Sequence, residues 1–327
     1  MRTLLCACLA ALSAAANPLS LTIASDGSYS LSHASWPALS LVSAPTGVRV
    51  GGAWLSSADG SLVRLGAART ASGSDAWGAF NSTSLDWAAA SSGPVLMTAT
   101  FRVYIDSPAV AFGASFPMGV PATGAKSSGS DVDSTTTRFP AWALPSASQL
   151  AWMTWAGPFL NRGLSGPLFG GWDTQAKTWP GAFSGGPLVL FDAVGARALI
   201  LSAATEFMGV SAAASATALN QGAMGSAAFL PAGFSYETVA WLGEGSINGA
   251  IMSWGAALLA KHGKPHGLSR SDYTNTYLGY NTDHGAYIYY NPTLGSPANY
   301  SATLDAVADD AVAKNIPFKF VLLDSWW

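Results

Sequence analysis

The sequence predicts a mainly β protein in which a large antiparallel β-sandwich is followed by a linker helix and a βαβ unit. Up to about residue 245, short apolar runs alternate with turn-forming stretches, in a chain of 327 residues with 35 glycines and 18 prolines. An amphipathic helical pattern then begins at Ser246, and an apolar run, a helix and a second apolar run follow it. This change of pattern predicts two structural regions.

The composition excludes several classes of protein. Hydrophobic residues make up 50% of the chain and charged residues only 10%, which is typical of membrane proteins. After residue 20, however, no stretch offers the roughly 18 uninterrupted apolar residues of a spanning helix, and the longest candidate, 188–204, contains Asp192 and Arg197. The net charge of −3 and the dispersed basic residues argue against nucleic acid or anionic lipid as a partner. We therefore predict no integral membrane segment beyond the N-terminal residues 1–16.

Residues 1–16 have the pattern of a secretory signal peptide. They combine a positive start, a short apolar core and a run of small residues ending at Ala16, the expected cleavage site. The alternative is an ordinary buried N-terminal helix. Both cysteines, Cys6 and Cys8, lie in this segment, so a mature secreted chain would have neither a disulfide nor a thiolate metal site.

Two Asn-x-Ser/Thr sequences fit a secreted protein. They begin at Asn81 and Asn299, and each is a candidate glycosylation site. Such sequences also occur by chance.

The pattern of residues 17–245 predicts the antiparallel β-sandwich. The clearest strand patterns are 96–105, 188–191, 198–201 and 236–242. The Ala/Ser-rich tract 211–218 predicts a loop or a short helix. Many short strands with no long helix among them are typical of an antiparallel sandwich.

The pattern of residues 246–271 predicts a linker helix and the segment that connects it to the next region. Ser246 is the expected N-cap, Lys261 and His262 lie in the last turn, and Gly263 and Pro265 are stop signals. The apolar positions that share one face are Ile247, Ile251, Trp254, Leu258 and Leu259.

Residues 272–327 predict the βαβ unit. The first strand is expected at 276–280, the helix from about Ser301 to 315–317, and the second strand at 318–323. The last run is almost continuously apolar, as expected of a parallel strand covered on both faces. A lone two-stranded unit leaves open edges, so we expect this region to be the incomplete beginning of a larger α/β domain.

The candidate site lies at the carboxyl ends of these two strands, the edge where parallel α/β domains bind ligands. Asp283 follows the first strand and Asp324 ends the second, so both are expected at the same edge. Carboxylates accept hydrogen bonds from sugar hydroxyls, and aromatic rings stack on sugar rings, which together suggest a carbohydrate subsite. The other candidate contacts are His284, Tyr287, Trp326 and Trp327. The alternative is that the aspartates cap turns and the aromatic residues belong to a core.

Residues 278–327 resemble the opening of the (β/α)8 catalytic barrel in glycoside hydrolases related to α-galactosidases and raffinose synthases. The similarity lies in GYNTDHGAY (279–287) at the first strand and IPFKFVLLDSWW (316–327) at the second, where the motif position reads Leu323-Asp324-Ser325-Trp326. In that family a large β-sandwich precedes the barrel, and the second strand commonly ends in Asp-Asp-Gly-Trp, which contacts sugar hydroxyls. Here one Asp and the Gly of that motif are absent, which leaves the substrate open.

The resemblance implies a secreted glycosidase-like protein that acts on or binds α-linked carbohydrate. It also implies that the nucleophile and the acid/base are aspartates of later barrel strands, so no catalytic residue is assigned in this chain. We therefore expect 272–327 to be an incomplete barrel and the chain as it stands to be inactive. The alternative function is a secreted, lectin-like carbohydrate-binding sandwich without catalysis.

The other motifs in the sequence do not indicate a metal, serine hydrolase or dinucleotide site. The four histidines lack the spacing of a metal site, no Gly-x-Ser-x-Gly sequence occurs, and the glycines of 243–249 fit a helix start better than a dinucleotide loop. We therefore expect no metal and no cofactor. Five tryptophans predict sandwich core more strongly than a sugar-binding loop: Trp142, Trp152, Trp155, Trp172 and Trp179.

Overall fold

The computed structural model describes residues 17–124, 135–143, 151–154, 168–171, 183–184, 187–192, 196–214, 218–264, 272–282 and 299–323. The chain divides into two compact units, Met1–Lys261 and His262–Trp327. The first unit therefore includes the predicted helix as well as the strands.

The first unit is built of antiparallel strands followed by one helix. The strands up to residue 116 are β1 (Leu19–Ile23), β2 (Tyr29–His33), β3 (Ser40–Val42), β4 (Gly47–Val50), β5 (Ala53–Ser56), β6 (Val63–Asp75), β7 (Gly78–Ala88), β8 (Met97–Tyr104) and β9 (Ala109–Phe116). Those that follow are β10 (Thr137–Arg138), β11 (Ala141–Ala143), β12 (Ala151–Thr154), β13 (Leu168–Gly171), β14 (Phe183–Ser184), β15 (Leu188–Phe191), β16 (Arg197–Ala203), β17 (Val210–Ala214), β18 (Ala218–Ala223) and β19 (Phe234–Glu244). Helix α1 spans Ile247–Lys261.

One large sheet organises this unit. Its nine strands have the order β13-β12-β15-β16-β19-β9-β8-β7-β6, and every neighbouring pair is antiparallel. One of its faces shares a core with three smaller sheets, ordered β1-β2-β3, β10-β4-β5 and β11-β18-β17-β14. Its other face packs against α1. The predicted sandwich is confirmed, and the helix covers the outer face of its large sheet.

An aromatic cluster occupies the core between the sheets. Trp142 is fully buried, and its ring contacts Tyr29 and Phe112 at centroid distances of 5.1 and 5.4 Å. The Tyr29 hydroxyl donates to the Ala141 carbonyl at 3.0 Å and accepts from the Ala141 N–H at 2.7 Å. Burial raises the pKa of Tyr29, so this phenol stays neutral and serves as an internal hydrogen-bonding group. Trp142 and Trp152 are core residues, whereas Trp155, Trp172 and Trp179 lie outside the described residues.

Helix α1 begins as the sequence predicts. The Ser246 hydroxyl accepts the Gly249 N–H at 2.9 Å, and Gly245 takes a positive φ of 91° that favours glycine. Four of the five predicted apolar positions pack against the outer face of the large sheet: Ile247, Ile251, Trp254 and Leu258. Leu259 is not among them, and the buried positions of the helix are Ala250 and Ala257. Small residues therefore line the closest contact, which hydrophobicity alone does not predict.

Indole hydrogen bonds reinforce this contact between helix and sheet. Trp77 donates to the Ala257 carbonyl at 2.7 Å, and Trp241 donates to the Ser253 hydroxyl at 3.0 Å. From the helix side, Trp254 donates to the Ser202 hydroxyl at 2.9 Å. The helix is thus held by directed bonds as well as by apolar contact.

Replacement of Gly243 by alanine is expected to destabilise the first unit by about 1–3 kcal/mol. A Cβ at this position of β19 would lie 2.2 Å from the Ala250 Cβ and 2.3 Å from its Cα, so the first turn of α1 would have to move. Gly255→Ala is the matched control, because a Cβ there meets nothing within 4 Å and alanine favours the helix by up to about 1 kcal/mol. Chemical denaturation should therefore give shifts of opposite sign, and equal shifts would contradict the close contact.

The tract 211–218 differs from the prediction. Instead of a loop or short helix, its first residues belong to β17 and its last residue begins β18, and these two strands pair in antiparallel register. Alanine and serine have low intrinsic strand preference, so tertiary packing decides the conformation here. Val210 and Ala212 point into the core cluster that the strands share with the large sheet.

The second unit contains the predicted βαβ arrangement. Its elements are α2 (Tyr273–Thr276), β20 (Gly279–Asn281), α3 (Tyr300–Ala313) and β21 (Phe320–Leu322). The predicted start of the first strand, at residue 276, is wrong. Asp272 caps a helical turn by accepting the Thr274 N–H at 2.9 Å, and this turn ends at Thr276. Helix α3 is capped by Asn299, whose side-chain oxygen accepts the Ala302 N–H at 2.8 Å.

Candidate functional site

The parallel pair β20 and β21 positions the candidate site. Gly279 lies opposite Phe320, and the pairing continues in step to Asn281 opposite Leu322. The two strands therefore end at the same level. The sequence predicts that the aspartates that follow them, Asp283 and Asp324, share one edge of the sheet.

Thr282 extends the pairing beyond the end of β20. Its N–H donates to the Leu322 carbonyl at 3.2 Å, and its hydroxyl donates to the same oxygen at 3.4 Å. The residue is fully buried, and both of these donor groups have their acceptor inside the protein. Thr282 thus fixes the carboxyl end of the first strand against the second, a role that the sequence pattern does not reveal.

The six predicted substrate contacts lie outside the described residues. These are Asp283, His284, Tyr287, Asp324, Trp326 and Trp327. The described chain reaches Thr282 on one strand and Leu323 on the other, which are the residues directly before the two aspartates in sequence.

Close contact between the strands depends on Gly279. A Cβ on this residue would lie 2.3 Å from atoms of the Phe320 ring, so only glycine leaves room for that ring. Tyr280 contacts Phe318 at a ring distance of 5.9 Å on the neighbouring chain segment. The sequence Gly279-Tyr280 therefore contributes to the packing of this edge, as well as to the resemblance.

An apolar groove of about 530 Å³ lies between α3 and the strands. Apolar residues of α3 line it, including Leu304, Val307 and Ala311. Val321 and Leu322 are 53% and 46% exposed. The expectation that this strand is covered on both faces is therefore not met among the described residues.

The glutamates of the first unit serve structural roles or are exposed. Glu237 is buried and forms ion pairs with Arg102 and Lys261, and the Lys261 ammonium lies 4.4 Å from the centre of the Trp77 ring. This group, which we call the Glu237 cluster, joins β8, β19 and the last residue of α1. These two ion pairs attach the end of α1 to the large sheet, so the cluster has a structural role.

His33 is a second buried titratable group. Its Nε2 lies 3.6 Å from Oε1 of Glu244, a residue that is 61% exposed, and its Nδ1 accepts the Ser35 N–H at 3.2 Å. Burial lowers the pKa of His33, so the imidazole is neutral at pH 7. This histidine packs edge-on against Trp36 and belongs to the sandwich structure.

A second concave surface lies within the first unit. We call it the sandwich groove: it has a volume of about 660 Å³ and lies where β1 and the chain after it face strands β6, β7 and β8. Its apolar wall includes Leu21, Ile23 and Val103, and its polar wall includes Arg64, Asn81 and Thr83. The predicted glycosylation residue Asn81 thus lines a groove, whereas Asn299 caps α3.

Within the part of the chain that the structure describes, no three His, Cys, Asp or Glu residues come together as a metal site. Over those same residues, no helix is both long enough and apolar enough to cross a bilayer.

Comparison with known proteins finds similarity only among solved structures. No family model matches the sequence, and no curated protein matches it. An α-N-acetylgalactosaminidase from Bifidobacterium bifidum is similar over 94% of this chain and 51% of its own, with 9% identity and a TM-score of 0.49. A glycoside hydrolase family 97 enzyme from Pseudoalteromonas sp. strain K8 is similar over 69% of this chain and 34% of its own, with 12% identity and a TM-score of 0.44.

A third structure is the galactosidase domain of an α-galactosidase-sucrose kinase. It matches 87% of this chain and 39% of its own, with 10% identity and a TM-score of 0.40. All three are glycoside hydrolases or domains of them. The chain spans between a third and about half of the length of these structures.

Proposed function

We propose that this protein is a secreted, glycoside-hydrolase-like protein that binds or acts on α-linked carbohydrate. The observation that carries the proposal is the register of β20 and β21, which ends both strands at one edge. In sequence, Asp283 follows Thr282 and Asp324 follows Leu323. The motif resemblance points to the second of these positions, because it assigns sugar-hydroxyl contacts to the end of the second strand.

The proposed subsite works by charge-assisted hydrogen bonding and stacking. The carboxylates of Asp283 and Asp324 accept hydrogen bonds from sugar hydroxyls, and His284, Tyr287, Trp326 and Trp327 supply further polar and ring contacts. No residue is assigned as nucleophile or as acid/base. Secretion is part of the proposal and depends on the pattern of residues 1–16.

Asp283→Asn and Asp324→Asn should each weaken binding of an α-linked oligosaccharide by roughly 10- to 150-fold. Asparagine keeps the shape but removes the charge from the acceptor, and a hydrogen bond to a charged group contributes about 1.5–3 kcal/mol. Isothermal titration calorimetry against α-galactosides, α-glucosides and α-N-acetylgalactosaminides measures the change.

Asp309→Asn is the matched control, because Asp309 is an exposed aspartate on α3 and is not one of the predicted site residues. Wild-type affinity in both site variants, or no binding to any of these sugars, would contradict the proposal. Hydrolysis of aryl α-glycosides by the same preparations separates an enzyme from the lectin-like alternative, because a lectin binds without turnover.

A further inference from the structure

The sandwich groove has an attachment point for a covalent ligand in its wall. Asn81 lies within β7, opposite Ser72 of β6 on one side and Val103 of β8 on the other. It is exposed to solvent and lines the groove together with Thr83. Because side chains alternate along a strand, Asn81 and Thr83 share one face while Ser82 points to the other.

The Asn81 amide makes one hydrogen bond to the neighbouring strand. Its Oδ1 accepts a hydrogen bond from the Ser72 hydroxyl at 2.8 Å. Among the described residues, no hydrogen bond engages its Nδ2. The nitrogen that N-glycosylation modifies is thus the one that the fold leaves available.

We propose that Asn81 carries an N-linked glycan whose first sugar rings occupy the sandwich groove. In the reaction, the Asn81 Nδ2 forms a bond to the anomeric carbon of an oligosaccharide carried on a lipid diphosphate. The bond from that carbon to the phosphate oxygen breaks, Nδ2 loses one proton, and the lipid diphosphate leaves. The proposal rests on the proposed secretion, because the modification takes place in the secretory pathway.

The groove suits this occupant in size and chemistry. Its volume of about 660 Å³ lies within the roughly 300–1,000 Å³ typical of small-molecule sites, so it has room for sugar rings. Leu21, Ile23 and Val103 offer apolar surface for the C–H faces of a sugar, and Arg64 and Thr83 offer polar groups at the same wall. Phe101 forms part of the lining but is only 1% exposed, so the groove lacks a projecting aromatic ring there for capture of a free sugar. Covalent attachment removes the need for such a ring.

Asn299 provides an internal comparison. Its side-chain oxygen accepts the Ala302 N–H at 2.8 Å and so caps α3, and the following residues enter the helix. The groove attributed to the Asn81 glycan lies within the first unit and has no part of α3 in its lining. A glycan on Asn299 is therefore not expected to affect the stability of the sandwich.

The test uses the full chain produced by a eukaryotic secretory cell line. Mass spectrometry of peptides before and after peptide-N-glycosidase treatment should show a glycan on Asn81, with conversion of that residue to aspartate on release. Asn81→Gln and Thr83→Ala should abolish it. Ser82→Ala is the matched control, because it leaves the acceptor sequence intact.

Thermal unfolding tests whether the glycan occupies the groove. Enzymatic removal should lower the Tm of the wild-type chain by about 2–4 °C, a typical shift for losing a modest contact in a unit of this size. The same treatment should leave the Tm of the Thr83→Ala variant unchanged. The Ser301→Ala variant lacks only the Asn299 acceptor sequence, so its Tm should fall as that of the wild-type chain does. An unmodified Asn81 in the secreted protein, retention of the chain in the cytosol, or a Tm that is insensitive to glycan removal would each overturn the proposal. Sugar binding by Asp283 and Asp324 is measured in a separate experiment. Failure of the glycan proposal can therefore be distinguished from failure of the proposed function.

Discussion

Replacement of Trp142 by alanine is expected to lower the free energy of unfolding by about 3–5 kcal/mol, the usual cost of removing a large buried aromatic side chain. Trp142 is fully buried between the sheets and contacts Tyr29 and Phe112 through its ring. Its removal would leave a cavity whose aromatic walls cannot close without moving strands. Urea denaturation followed by far-ultraviolet circular dichroism measures the change.

Two further variants keep this prediction testable if the alanine variant does not fold. Trp142→Phe retains most of the apolar contact and should cost less than the alanine variant, because the indole N–H has no hydrogen-bond partner among the described residues. Phe229→Ala is the control, since Phe229 is 60% exposed and a surface change of this kind stays within about 0.5 kcal/mol. A loss of under about 1 kcal/mol for Trp142→Ala would favour the sugar-loop interpretation of this tryptophan.

Glu237→Ala should destabilise the first unit by about 3 kcal/mol and loosen α1. The substitution leaves Arg102 and Lys261 without their shared carboxylate, and breaking a buried ion pair by removing one partner is costly. Lys261 is the last residue of α1, so the loss acts directly on the attachment of the helix. Amide hydrogen exchange should become faster in α1 than in the central strands.

A double-mutant cycle separates this ion pair from a general loss of packing. Glu237→Ala combined with Lys261→Met should cost less than the sum of the two single changes, because the double variant no longer buries an unpaired ammonium. Glu244→Ala, on the same strand but 61% exposed, should change stability by no more than about 0.5 kcal/mol. Additive costs in the cycle would mean that Glu237 acts through packing alone.

Strand and helix positions could be predicted where local patterns are strong. The strand at 188–191 and the limits of α1 agree closely with the prediction, since apolar runs and helix caps act over a few residues. The tract 211–218 could not be predicted in this way, because alanine and serine gain their strand conformation from neighbouring strands. Likewise, Gly279 and Thr282 have roles that depend on Phe320 and Leu322, about 40 residues away in sequence.

The sequence by itself determined the mainly β character of the first region, the helix at 247–261 and the order of strand, helix and strand that follows. Those features arise from the spacing of apolar and turn-forming residues, which is local. Only the tertiary structure decided the register that ends β20 and β21 together, the attachment of α1 through the Glu237 cluster, and the position of Asn81 in the wall of a groove. Each of these joins residues far apart in the chain, and such contacts depend on how whole sheets pack.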